Sequence, residues 1–459
     1  MNHPPYSDHH RNVGELTATR RGFLGATGGV AATALWSGLS QAALAQPEAF
    51  GKAKSVIMIF NCGGPSHIDL WDPKPNAGDS VRGPFQTIDT NVPGIHVTEM
   101  LPRMAKMVDK LAILRTVNHT QAGHNSGMYY STVGRPYRID STLINPSPAD
   151  HPSLGTLVGW LARRDGYSSG IPPYVIAPYP HCDSTVYITP GQYGGCLGMH
   201  YDPLVLDADP NDKDFKVRNL KLDPSLTPDK FRERLSLLNQ MNQKGIAIAS
   251  PSATDIDLYQ SQAASIVSTD KASEAFDLSK ETTELRDRYG RHTWGQSHLL
   301  ARRLVESGVR FVSAVNGRSI IWDTHLNNFD RMKKSLVPPM EQAYATLLED
   351  LEDRGLLDTT LVIWTGDFGR TPIINKDAGR DHWPQCYTVV LAGAGIRGGQ
   401  VVGESDKTGA FPHSRPISPA DINATVFTAM GYDPRSITYR MLDGRPIPLS
   451  EGTPIREVL

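Results

Sequence analysis

The sequence predicts a mainly parallel α/β fold, with helices on both faces of one central sheet. Three observations carry this expectation. Apolar runs such as Ser55–Phe60 and Leu361–Thr365 lack the in–out alternation of a half-exposed strand, so they read as strands buried on both faces. Helical stretches such as 295–307 and 336–354 alternate with them along the chain. Several runs end in loops rich in Gly, Asp and His, and strand-end loops are where α/β sheets build their sites.

Taken in order, the first 45 residues stand apart. Thr19-Arg20-Arg21-Gly22-Phe23-Leu24 places paired arginines before the uncharged stretch 25–44, and Ala43-Leu44-Ala45 ends it with small residues. This is the pattern of a twin-arginine signal peptide cut before Gln46, so residues 1–45 are expected to leave and 46–459 to form the mature domain. The expected location is the periplasm or outside the cell, with the twin-arginine export machinery as a transient partner. The stretch is too rich in Gly and Ala for a lasting membrane anchor, and no later segment is apolar enough to span a bilayer. A net charge of -2 gives no pull toward nucleic acid.

The first strand, Ser55–Phe60, runs into Asn61-Cys62-Gly63-Gly64-Pro65-Ser66-His67-Ile68-Asp69. A helix is expected over 100–109 and a strand over 111–114, followed by His119 to Gly127 and a helix through 128–133. Residues 200–300 are polar and predict a helical insertion, with helices over 231–241 and 273–289. Val309–Val315 is the next strand, with Asp323-Thr324-His325 in the loop behind it. The long helix 336–354 should end at Gly355, and the strand 360–365 runs into Gly366-Asp367-Phe368-Gly369. Asp381-His382 precedes the strand 387–391, and Ser418-Pro419 opens a last helix. Of the four cysteines, Cys182 and Cys196 are the pair closest in sequence and the most plausible disulfide in an exported protein.

Residues far apart in the chain can therefore meet at the carboxyl edge of the sheet. Asp323, His325, Asp367 and His382 are expected to hold a divalent metal there, with His67, Asp69 and His124 as further ligands. Mixed Asp/His donors suit zinc, manganese or calcium, and such an ion polarises an ester oxygen and lowers the pKa of bound water. Each residue also has a plainer reading. An Asp after a strand often caps a helix, and Ser126 serves equally as an N-cap or as a hydroxyl beside a bound anion.

The segment 357–369, Leu-Asp-Thr-Thr-Leu-Val-Ile-Trp-Thr-Gly-Asp-Phe-Gly, resembles the strand of the alkaline phosphatase and sulfatase superfamily that ends in a metal-binding acid. His382 falls where that superfamily has a further His, and Asp323-Thr324-His325 resembles its Asp loop before a long helix. His124 to Arg135 resembles the sulfatase stretch from the nucleophile to Thr-Gly-Arg. Within the superfamily, Gly-Gly-Pro-Ser-His-Ile-Asp, Trp-Asp-Thr-His, Gly-Asp-Phe-Gly-Arg-Thr-Pro and the 300–306 helix resemble a largely uncharacterised group of exported bacterial proteins. The resemblance implies an alkaline-phosphatase-like sandwich, a divalent cofactor, and hydrolysis of a phosphate or sulfate ester on a small molecule or polysaccharide. A divergent, non-hydrolytic ligand- or metal-binding protein on the same scaffold is the alternative.

Three positions depart from the pattern. Asn61-Cys62 stands where the first strand usually ends in a metal-binding Asp. Phe368 replaces the His or Asn beside the acid. His124 occupies the nucleophile position, so His124 and Ser126 are the residues left to carry catalysis, and the Cys-x-Pro-x-Arg pattern of formylglycine sulfatases is absent. These losses favour one ion over two.

Overall fold

Strand β1 (Ser55–Asn61) is central to an eight-stranded sheet with β2 (Leu111–Val117), β3 (Tyr174–Ala177), β4 (Leu204–Val205), β5 (Phe311–Asn316), β6 (Thr360–Gly366), β7 (Tyr387–Ala392) and β8 (Gln400–Val402). The computed structural model describes residues 46–182, 188–217, 226–244 and 270–459, together with 264 and 266. The strand order is β8-β2-β7-β6-β1-β5-β3-β4. Strand β1 pairs parallel with β5 and β6, and β3 pairs parallel with β5 and β4. Strand β7 runs antiparallel to both β6 and β2, whereas β8 is parallel to β2.

Continuous apolar strands need two covered faces, and the two cores show this residue by residue. Ile57, Ile59, Val312, Ala314, Val362 and Trp364 face one side. They pack with Leu300 and Leu304 of α3 (Thr293–Glu306) and with Tyr344, Leu347 and Leu351 of α4 (Val337–Asp353). Val56, Met58, Phe60, Phe311, Val315, Leu361 and Ile363 face the other side. Their partners are Leu157 and Leu161 of α2 (Leu154–Arg164) and Val426 and Phe427 of α5 (Pro419–Ala429). The last helix opens as its sequence suggests: Ser418 and Asp421 form a reciprocal capping box with Pro419 in the first turn.

Several local expectations are corrected. The segment 100–109 folds as 3-10 turns at Met104–Lys106 and Val108–Lys110, not as one helix. The stretch 273–289 is broken into Asp270–Ala275, a turn at Leu278–Lys280, and Thr283–Tyr289. The region 200–300 is only partly an insertion, because Leu204–Val205 joins the main sheet and α3 lies in the core. The helix Pro228–Lys244 is formed, and most of 245–269 lies outside the described residues. No disulfide joins Cys182 to Cys196. Among the described residues no helix is long and apolar enough to cross a membrane. Residues 1–45, with the expected export signal, lie outside the described residues.

Candidate metal centre at the carboxyl edge

The register of the sheet brings the site together. Asn61 pairs with Asn316 and with Gly366, so β1, β5 and β6 end side by side and their loops leave one edge. The antiparallel direction of β7 matters equally. Its first residue, Tyr387, lies opposite Val117 at the end of β2, so the segment before it, with His382, arrives at the same edge. Helix α1 (His124–Val133) starts there too, with His124 as its first residue.

Three imidazoles meet around Asp323. His325 Nε2 lies 3.0 Å and His382 Nε2 3.2 Å from Asp323 Oδ1, and His124 Nε2 lies 3.5 Å from Asp323 Oδ2. The nitrogens His325 Nε2 and His382 Nε2 are themselves 3.0 Å apart. Donor atoms of His124, Asp323 and His382 all lie within 4.8 Å of one another.

The opposite ring nitrogens explain the orientation. His124 Nδ1 donates to Asp367 Oδ2 at 2.5 Å, His325 Nδ1 to Asp381 Oδ1 at 2.6 Å, and His382 Nδ1 to the Ala122 carbonyl at 2.7 Å. Each imidazole thus has its Nδ1–H held by an acceptor and turns the other nitrogen inward. This is the outer-shell pattern that orients metal-ligating histidines. In the neutral tautomer the inward nitrogens carry lone pairs, and two lone pairs 3.0 Å apart repel unless a cation lies between them or one ring is protonated. His124 Nε2 is moreover buried and has no hydrogen-bond partner. The donor set therefore fits a divalent ion.

Electrostatics tune the cluster. Burial disfavours a charged His124, yet the Asp367 and Asp323 carboxylates outweigh it and lift its pKa to about 9. Burial likewise opposes an ionised Asp323. The neighbouring His124 and His382 side chains and the Arg370 cation prevail and hold its carboxyl far below the usual range. His382 is lowered, chiefly by burial, which suits a neutral ligand. The cluster is open on one side: the side chain of His325 is 41% exposed, against 22% for His382 and 3% for His124.

Asp367 supports this cluster from behind. It is fully buried, with Oδ1 accepting from the Gly63 N–H at 2.9 Å and Oδ2 from His124. Gly63 sits at φ +105°, and a Cβ there would lie 2.5 Å from the Asp323 nitrogen, so only glycine allows the β1 loop this approach. Phe368 packs its ring 5.0 Å from His124 and 4.6 Å from His382, an apolar wall where the superfamily pattern has a metal donor. Asn61 donates to Thr365 O and accepts from Asn316, and so belongs to the strand-end framework.

Other expected site residues are placed elsewhere. Asp69 forms a fully buried bidentate ion pair with Arg380, at 2.7 and 2.9 Å, and also accepts from Asn328. A carboxylate saturated in this way has no lone pair turned to the cluster. His67 Nε2 donates to the Gly409 carbonyl at 2.8 Å, so its ring is anchored toward that loop. Ser126 Oγ donates to Asp140 Oδ1 at 2.6 Å and lies in hydrogen-bond contact with the Gly123 carbonyl, while Asp140 accepts from the N–H groups of Ala122 and Gly123. The anion expected at this helix start is thus the protein's own Asp140 carboxylate.

Two site residues were not assigned from the sequence. Arg370 is fully buried and pairs with Asp323 at 2.6 Å, while Gly64 O and Arg380 O take its other donors. Its signal is its place in Gly-Asp-Phe-Gly-Arg. Asp381 is the partner of His325, and its signal is adjacency to His382.

Several solved structures are similar at low identity. A sulfatase from Pseudoalteromonas sp. is 14% identical, covers 82% of this chain and 68% of its own, and has a TM-score of 0.35. For a protein in the alkaline phosphatase superfamily from Vibrio parahaemolyticus the figures are 10%, 84%, 69% and 0.36. For a phosphonate monoester hydrolase of Agrobacterium radiobacter they are 13%, 88%, 77% and 0.33. No curated protein matches the chain. The Gly-Gly-Pro, Asp-Thr-His and Gly-Asp-Phe-Gly-Arg segments that build the cluster all lie within residues 53–459, the span matched by a family model described as a protein of unknown function, and the chain belongs to that family, DUF1501.

Proposed function

We propose that the protein is a one-metal hydrolase of phosphate or sulfate esters. His124, Asp323 and His382 hold the ion, and the His325–Asp381 pair moves the proton. The observation that carries this is the common orientation of three histidines, each with Nδ1 bound to an acceptor and Nε2 turned toward Asp323. Three protein ligands with one open side is the arrangement of a catalytic rather than a structural ion. When bound, a divalent ion there supplies a Lewis acid for an ester oxygen and lowers the pKa of a water.

The chain's own residues do the rest. Asp367 fixes the tautomer of His124. Arg370 holds one Asp323 oxygen in place. His325, at the open side and backed by Asp381, is placed to take a proton from water and return it to the leaving oxygen. With Ser126 committed to Asp140, the reading needs no covalent intermediate. We further propose export by the twin-arginine route with loss of residues 1–45. Arg20→Lys with Arg21→Lys should leave the precursor in the cytoplasm, and normal export of that variant would remove the assignment.

The test is elemental analysis of the purified mature protein, with aryl phosphate and aryl sulfate turnover before and after metal stripping. About one ion per chain and metal-dependent turnover are expected. A second reading has support in one observation: Arg370 and a protonated His124 already neutralise Asp323 and Asp367. A non-hydrolytic binding protein would then show no stoichiometric ion, or an ion without turnover of either ester.

A further inference from the structure

A second cluster lies at the amino edge of the sheet, the end opposite the histidines. The C-terminal turn of α2 and the segment Pro172-Pro173 leading into β3 enclose a cleft of about 570 Å³, lined by Trp160, Arg163, Arg164, Tyr167 and Tyr201. Arg310 stands beside it immediately before β5, with its backbone N–H on the Pro173 carbonyl and its Nε buried without a hydrogen-bond partner.

The charge here is unbalanced. Among the described residues no carboxylate pairs with Arg163, whose electrostatic neighbours are Tyr201 and Tyr167, and burial lowers its pKa. Asp165 is the acid in the cluster, and it is taken by Arg164 at 3.2 Å and by the Tyr432 hydroxyl at 2.6 Å. Arg164 itself sits over the rings of Trp160 and Tyr432, at 5.7 and 5.8 Å. Cations in the last turn of a helix offset its dipole, which accounts for Arg163 and Arg164 being tolerated there. It does not account for a half-buried guanidinium facing a cleft, or for the buried Arg310 Nε that lacks a hydrogen bond behind it. Planar guanidinium forks match carboxylate or sulfate oxygens, and aromatic walls suit a ring with an apolar face.

We propose that this cleft binds an acidic sugar, with Arg163 holding the carboxylate or sulfate and the Trp160 and Tyr167 rings facing the sugar ring. The site is independent of the metal centre and lies across the sheet from it.

The test is isothermal titration of the mature protein at low ionic strength with glucuronate, glucose and sodium sulfate. Glucuronate should bind at least about tenfold tighter than glucose or sulfate alone, and the binding should weaken with added salt. Arg163→Met, and separately the exposed Arg164→Gln, should each weaken glucuronate at least about fivefold with an unchanged melting temperature. His382→Ala should leave it unchanged. Equal binding of glucuronate and glucose, or no measurable binding, overturns the proposal. Sulfate binding as tightly as glucuronate removes the role of the rings and overturns the sugar assignment. Loss of binding in His382→Ala would locate the ligand at the metal centre instead.

Discussion

Asp69 and Asp323 invite comparison. Both follow a parallel strand, both belong to a short motif with a nearby histidine, and both end within reach of a buried arginine. Asp69 lies fully buried with both oxygens on Arg380. Asp323 is 20% exposed, shares one oxygen with Arg370, and has three imidazole nitrogens turned toward it. The first is satisfied and closed, and it fixes the chain two residues before His382. The second is over-supplied with donors and open on one side, as a ligand site has to be. What separates framework from site is thus whether the partners of a polar group are complete without a ligand.

The largest effect expected from this contrast is on metal content. His382→Ala should eliminate stoichiometric metal and ester turnover, measured by elemental analysis and assay, with little change in melting temperature because the ring is part-exposed. Asp69→Ala should act on the fold instead. Leaving Arg380 buried without its partner should destabilise the protein by about 3–5 kcal/mol in denaturant titration. If Asp69→Ala removed metal without loss of stability, the contrast would collapse.

Asp367→Asn tests the supporting role. Outer-shell changes of this kind lower metal affinity about 10–100-fold, and a loss in that range with residual binding is expected. Complete loss would instead make Asp367 a direct ligand. The pH response sharpens the same point. In the metal-free protein the His124 pKa is raised above its unfolded value of 6.5 to about 9. Its contribution to stability is therefore fully present below about pH 6.5 and is lost as pH rises toward 9. A metal ion has to displace that proton, so affinity should rise about tenfold per pH unit below about 9 and then level off. A flat affinity profile would take His124 out of the ligand set. The smallest effect is expected for Ser126→Ala, about 0.5–1.5 kcal/mol of stability from its lost hydrogen bond to Asp140, with turnover unchanged. Lost turnover in that variant would restore Ser126 to the chemistry.

The parts legible in the sequence were those set by local chemistry. Runs such as Val56–Phe60 and Leu361–Trp364 can only be strands covered on both sides, and Ser418-Pro419 with Asp421 can hardly avoid starting a helix. Asp323, His325 and His382 could be singled out because Asp and His collected behind apolar strands. The failures were also local. The stretch 100–109 has helical composition but folds as two 3-10 turns, and the Cys182–Cys196 spacing says nothing about where the two segments run. Tertiary structure alone decided which acids were already occupied. Nothing near Asp69 in sequence announces Arg380, which is 311 positions away. Asp140 reaches Ser126 only because the chain folds back over the start of α1. His382 enters the site because β7 is antiparallel, a property of strand pairing that no single strand encodes. A residue type fixes what a side chain can donate or accept, but its partners are supplied by chain segments brought near only when the sheet closes its register.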